Sequence, residues 1–157
     1  MIKSKVIKYG DNVDTDVIIP ARYLNITDKK ELSRYAMADL DSGFLDKAKE
    51  RRIICAGANF GCGSSREHAV TVLKENGIIL IAAKSFSRIF YRNAINLGLP
   101  IIECDIDICD CDEISADLKK GEIINITKSI KAGFSPYPEF IQKIIGCGGI
   151  LGFFKSL

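Results

Sequence analysis

The sequence predicts an α/β chain in which a parallel sheet layer is followed by a stretch of shorter strands. Three observations carry this. Ile53 to Ala56, Ile78 to Ala83 and Ile101 to Cys104 are apolar runs of strand length. Two helical stretches, Glu67 to Glu75 and Ser87 to Leu97, lie between them, and each is stopped by a glycine, in Asn76-Gly77 and at Gly98. Strand, helix, strand, helix, strand is the order that gives parallel neighbours with their loops gathered at one edge.

Taken in order, Ser4 to Tyr9 alternates polar with apolar residues and meets Gly10-Asp11-Asn12, which predicts a strand running into a turn. Val17 to Ile19 is a second short apolar run, stopped by Pro20. From Thr27 to Lys49 the pattern loosens into short helical pieces, with Leu32, Tyr35, Ala36 and Leu40 near helical spacing. In the stretch from Ser87, residues Ile89, Phe90, Ala94 and Leu97 fall on one side and should face the core. After Asp105 come short strands, notably Glu122 to Thr127, and then a helix from Pro138 to Ile145. The result is a mixed β/β/α arrangement. With no repeat, low-complexity tract or linker, residues 1–157 are expected to form a single domain.

Composition narrows the function classes. At 47% hydrophobic the chain can build a core, and 22 basic against 20 acidic side chains leave a formal charge of only +2, spread along the chain. No nucleic acid or anionic membrane is implied as a partner. The amino terminus has no apolar stretch resembling a signal peptide, so a cytoplasmic protein with six reduced cysteines is expected.

Chemistry concentrates in Ala58-Asn59-Phe60-Gly61-Cys62-Gly63-Ser64-Ser65-Arg66-Glu67-His68, between a strand and a helix. Gly61 and Gly63 permit a tight turn and close approach of a ligand to the backbone. Ser64 and Glu67 have capping-box spacing, which predicts Ser64 as the N-cap. The free amides of a first helical turn favour an anion, and Arg66 adds a fork of donors matched to a carboxylate. The stretch also reads as no more than a capped helix after a glycine turn, but a cap requires neither Ser65 nor Arg66. The Lys-Ser/Thr ending of a nucleotide-binding P-loop is missing.

Three segments together resemble a known family: G-C-G-S-S-R-E-H from Gly61 to His68, A-K-S-F-S-R-I-F from Ala83 to Phe90, and D-N-V-D-T-D-V-I-I-P-A-R-Y-L from Asp11 to Leu24. The chain resembles the swivelling domain of the aconitase family, in the form of its stand-alone small subunits. The tail Gly148-Gly149-Ile150-Leu151 is similar to theirs as well. The resemblance implies a hydro-lyase in which Ser64 is the base, Ser65 and Arg66 bind a substrate carboxylate, and Thr15, Asp16, Gly61 and Gly63 support the site. It also implies a separate large subunit carrying a [4Fe-4S] cluster, with no cofactor and no activity in the small chain alone.

Substrate choice in such subunits is attributed to the loop after the P-A-x-Y-L segment, here Asn25-Ile26-Thr27. Homoaconitase-like members carry an arginine where this chain has Asn25. An apolar loop without a cation suits a 2- or 3-hydroxy dicarboxylate with a branched alkyl group, and isomerisation of isopropylmalate in leucine biosynthesis is the expectation. Arg22 complicates this by lying close upstream. Small subunits for 2,3-dimethylmalate or homoaconitate are the alternatives within the family, and a small-acid-binding or regulatory module is the alternative outside it. His68 is expected to be structural. Cys109 and Cys111 among the acids of Glu103 to Glu113 are expected to be incidental thiols rather than a metal site, because no histidine completes a set. Arg88 and Arg92 are expected to form a solvated face.

Overall fold

The computed structural model describes all 157 residues. Its centre is a seven-stranded sheet in the order β4-β3-β2-β1-β5-β6-β7. Strands β1 (Ile2–Lys8), β2 (Ile53–Ala56), β3 (Leu80–Ala83) and β4 (Ile101–Glu103) run parallel, while β5 (Glu113–Asp117), β6 (Glu122–Asn125) and β7 (Ile130–Gly133) continue from β1 as an antiparallel meander. The helices are α1 (Thr15–Ile18), α2 (Lys29–Ser33), α3 (Phe44–Ala48), α4 (Glu67–Glu75), α5 (Arg88–Asn96), α6 (Glu139–Gly146) and α7 (Ile150–Lys155), with a 3₁₀ turn at Ala21–Tyr23.

Alternation along the strands explains the unbroken apolar runs. Ile54, Ala56, Ile81 and Ala83 face one core, where they meet Val70 and Leu73 of α4 and Phe90 and Ala94 of α5. Ile53, Cys55, Leu80 and Ala82 face the other, against Ile114, Ala116 and Ile123 of the antiparallel strands. The sheet thus curls and covers its own second face, so β2 and β3 are buried on both sides and carry no polar residue. A small third cluster of Ile95, Tyr137 and Ile144 seats α6 against α5.

The predicted α/β layer is present, and β2, α4, β3, α5 and β4 lie where the sequence places them. Three details differ. Ser64 is not a cap: α4 starts at Glu67 with Arg66 at its N-cap and no side-chain cap bond. Ile89 is 47% exposed, because the buried stripe of α5 runs through Phe90, Ala94 and Ile95. Val17 and Ile18 belong to a helical turn, started by Asp14, whose carboxylate accepts from the Asp16 amide. No helix is long and apolar enough to cross a membrane.

Candidate active site

The segment from Gly57 to Arg66 leaves the end of β2 at the edge where the parallel strands finish, and it is bound from two sides. On one side lies the segment before α1. The Gly61 amide donates to the Val13 carbonyl at 2.8 Å, the Thr15 amide donates to the Cys62 carbonyl at 2.8 Å, and the Asp11 carboxylate accepts from the Ala58 amide at 2.7 Å. On the other side lies the segment before α5. Phe60 and Ser87 exchange backbone bonds with Ser85 and Phe60, and the Ser87 hydroxyl donates to the Gly61 carbonyl at 2.7 Å. Backbone bonds on both flanks fix the first part of the loop without requiring regular structure.

Both predicted glycines are required by contact. Gly61 has φ +78, and a Cβ there would fall 2.2 Å from Phe90 Cγ. Gly63 has φ +89, and its Cβ would fall 2.5 Å from an Asp14 carboxylate oxygen. Both conformations are in the left-handed region that glycine enters freely.

Ser64 and Ser65 are exposed at the tip, and neither hydroxyl is bonded to another protein group. The amides of Gly63, Ser64, Ser65, Arg66, Glu67 and His68 likewise donate to no protein group. They form a run of free donors leading into α4, as the sequence expectation of an anion site requires. Thr15 and Asp16 meet this tip directly: the Thr15 hydroxyl donates to the Ser64 carbonyl at 2.7 Å, and Asp16 Oδ1 accepts from Arg66 Nη1 at 2.7 Å. The same Nη1 donates to the Ile19 carbonyl at 3.2 Å. Arg66 is thereby anchored through one nitrogen, with Nε and Nη2 left as a free pair of donors. The Arg66 guanidinium and the Ala21 amide hold the Asp16 carboxyl below its usual value of 3.8, so the pair persists through neutral pH and is lost only as acid protonates Asp16.

The loop after Leu24 lies across from α4. Leu24, Ile26 and Thr27, with Lys29 and Leu32 of α2, form one side of an open cleft of about 400 Å³. Glu67, His68 and Thr71 of α4 form the other. Asn25 is exposed and does not line the cleft. Arg22 is held away: it makes a two-pronged pair with Asp39, at 2.8 and 2.5 Å, and lies over the Tyr23 ring at 4.6 Å. Sequence reasoning missed Asp14 beneath Gly63 and Ser85 and Ser87 behind Gly61. The only signal for the serines was their place in the A-K-S-F-S-R-I-F segment.

Burial, followed by the nearby Asp14 charge, raises the Cys62 thiol above its usual range, so it resists becoming a thiolate although it sits in the loop. No group of three or more His, Cys, Asp or Glu side chains is placed to hold a metal ion. Cys55 is buried in β2, and Cys109, Cys111 and Cys147 are exposed and separate. The residues present therefore do not fit a cluster-binding site within this chain.

The Aconitase C-terminal domain family matches residues 5–105. The 3-isopropylmalate dehydratase small subunit of Brachyspira hyodysenteriae is 54% identical, over 98% of this chain and 96% of its own length. That of Caldicellulosiruptor saccharolyticus is 52% identical, over 99% and 92%. A crystal structure of 3-isopropylmalate dehydratase from Methanocaldococcus jannaschii superposes with a TM-score of 0.93 at 46% identity, covering 99% of this chain and 93% of that one. With near-complete coverage in both directions and a shared fold, the chain belongs to the aconitase family, among the 3-isopropylmalate dehydratase small subunits.

Proposed function

We propose that this chain, acting as one swivelling domain over residues 1–157, is the small subunit of a cytoplasmic hydro-lyase. It interconverts 2- and 3-isopropylmalate by dehydration and rehydration in leucine biosynthesis. The observation that carries the reading is the exposed Ser64-Ser65-Arg66 tip, with its run of unpaired amides and an arginine held by Asp16. Ser64 Oγ removes the carbon-bound proton in dehydration and returns it in rehydration. A serine hydroxyl is too weakly acidic to do this in water, and the surrounding amides and guanidinium supply the stabilisation that an oxyanion needs. Arg66 Nε and Nη2 take a substrate carboxylate as a fork, with Ser65 beside it.

The tip is open to solvent, so that stabilisation is weak until another surface excludes water. A large subunit, in a heterodimer or heterotetramer, provides the cover. It would also hold a [4Fe-4S] cluster, which would supply Lewis-acid chemistry towards the departing hydroxyl, while the residues of this chain supply the base and the carboxylate contacts. Anaerobic mixing with the large subunit of a 3-isopropylmalate dehydratase should restore turnover of isopropylmalate that neither chain shows alone. A binding or regulatory module would leave the large subunit as inactive as before.

Two substitutions refine the reading. Arg66→Lys should raise KM at least about tenfold with assembly intact, because one ammonium cannot hold Asp16 and the Ile19 carbonyl and also offer a planar fork. Unchanged kinetics would place the carboxylate elsewhere. Asn25 borders the cleft without lining it, so Asn25→Arg acts only through the reach of the longer side chain; it should shift the ratio of kcat/KM at least about tenfold from isopropylmalate towards a homologue with a distal carboxylate, since a new charge-assisted bond is worth about 1.5–3 kcal/mol. Arg22 is paired with Asp39 and does not line the cleft. Ratios that stay fixed would remove the loop from substrate selection.

A further inference from the structure

The attribution of substrate choice to the loop after Leu24 accounts for only one side of the cleft, the side that Ile26 and Thr27 line. The opposite side is the first turn and a half of α4, the helix that begins just after Ser64, Ser65 and Arg66. A helix advances about 1.5 Å per residue, so Thr71 lies only about 6 Å along the axis from Glu67. That distance is comparable to the separation between the carboxylate and the alkyl branch in a small dicarboxylate. A substrate anchored at the tip and extended along α4 would bring its side group to this wall.

The two walls are fixed relative to each other. Leu32 of α2 is buried between them at 2% exposure, and Asn76 Nδ2, at the end of α4, donates to the Ser33 carbonyl of α2 at 2.9 Å. Asp28 starts α2 by accepting from the Glu31 amide at 3.1 Å, which sets where Thr27 and Ile26 stand. The width of the cleft is thus set by side chains rather than by backbone adjustment. On the α4 wall, the Thr71 hydroxyl donates to the Glu67 carbonyl at 3.3 Å. Its polar demand is met within the helix, so it can border an alkyl group without leaving a donor unsatisfied.

We propose that Thr71 faces Ile26 across the pocket for the substrate's alkyl group, so that side-chain size at position 71 sets how bulky a branch is accepted. This rests on the isopropylmalate reading above. It adds a specificity-determining position on α4, about 46 residues from the loop in sequence but across the same cleft.

The test uses the reconstituted two-subunit enzyme and measures kcat/KM for 3-isopropylmalate and 3-methylmalate. Thr71→Leu, which narrows the pocket, should lower the ratio of isopropylmalate to methylmalate use at least about tenfold, the scale of discrimination that one or two methylene groups provide. Thr71→Ala, which widens it, should raise the use of a malate with a pentan-3-yl branch relative to isopropylmalate. The alanine variant also keeps the proposal testable if the leucine variant fails to assemble. Ratios that stay within about twofold in the alanine variant, or that fall equally for all substrates in both, would overturn the proposal. Wild-type enzyme is run alongside: if it leaves isopropylmalate untouched, the functional reading fails, whereas active wild type with unmoved ratios fails only the assignment of Thr71.

Discussion

Replacing Ser64 with alanine should reduce turnover of the reconstituted enzyme by about 10²–10⁴-fold or more, the range supplied by a positioned general base. Stability should hardly change. The sequence suggested that the same substitution would also remove a helix cap, at a cost of about 0.5–2 kcal/mol. The structure removes that cost, because the cap position is Arg66 and the Ser64 hydroxyl bonds to no protein group. What Ser64 contributes to the fold is its carbonyl, which accepts from Thr15, and alanine retains it. Kinetics and a thermal melt on one preparation therefore separate the roles: activity should vanish at an unchanged Tm. Near-normal turnover would move the base to another residue, and a lowered Tm would show that the hydroxyl supports the loop.

Gly61→Ala should show the opposite pattern, with a large loss of stability from one methyl group. At φ +78 the backbone costs an L-residue about 1–2 kcal/mol. The new Cβ would also fall 2.2 Å from Phe90 Cγ, in a ring that is 2% exposed and packed edge-on against Phe60 at 5.3 Å. Overpacking adds about 1–3 kcal/mol. A total of about 2–5 kcal/mol corresponds to a fall in Tm of roughly 5–15 °C for a chain of this size. Gly148→Ala is the matched control: its φ is +77, but an added Cβ meets nothing within 4 Å, so it carries the backbone cost alone. Equal melts for the two variants would mean that Phe90 yields and does not brace the loop.

The parts of the fold that were legible in the sequence are those whose cause is local. Strands β2 and β3 are buried on both faces, so their residues are apolar without interruption, and α4 and α5 end at glycines with φ +86 and +75. The cap at Ser64 failed for a non-local reason. Thr15 holds the Ser64 carbonyl across 49 positions and Asp16 holds Arg66 across 50, and these bonds keep Ser64 to Arg66 outside the helix that local spacing favours. Ile89 was misjudged because a helical pattern leaves the edge of its buried stripe uncertain by one position. Helix α7 was not foreseen, since Ile150 and Leu151 were legible only as a family-like tail. The glycine turn and exposed Ser64–Arg66 tip were readable from residue types. Their supports, Asp14, Ser85 and Ser87, became visible only when distant segments met.

The place of β1 in the sheet bears on how the chain reaches this state. It has the parallel half on one edge through β2 and the antiparallel half on the other through β5. Its amide at Lys8 is also tied to Asp110, 102 positions away. The parallel half is complete within residues 2–103 and β5, β6 and β7 pair as a local meander, so only the seam between them joins distant segments. The β1-β5 pairing joins segments more than 100 positions apart, and the entropy of closing that loop is lost before the contacts repay it. Closing the seam between β1 and β5 is therefore the longest-range step in building the sheet, whereas the Ser64–Arg66 tip is supported by residues of the parallel half alone.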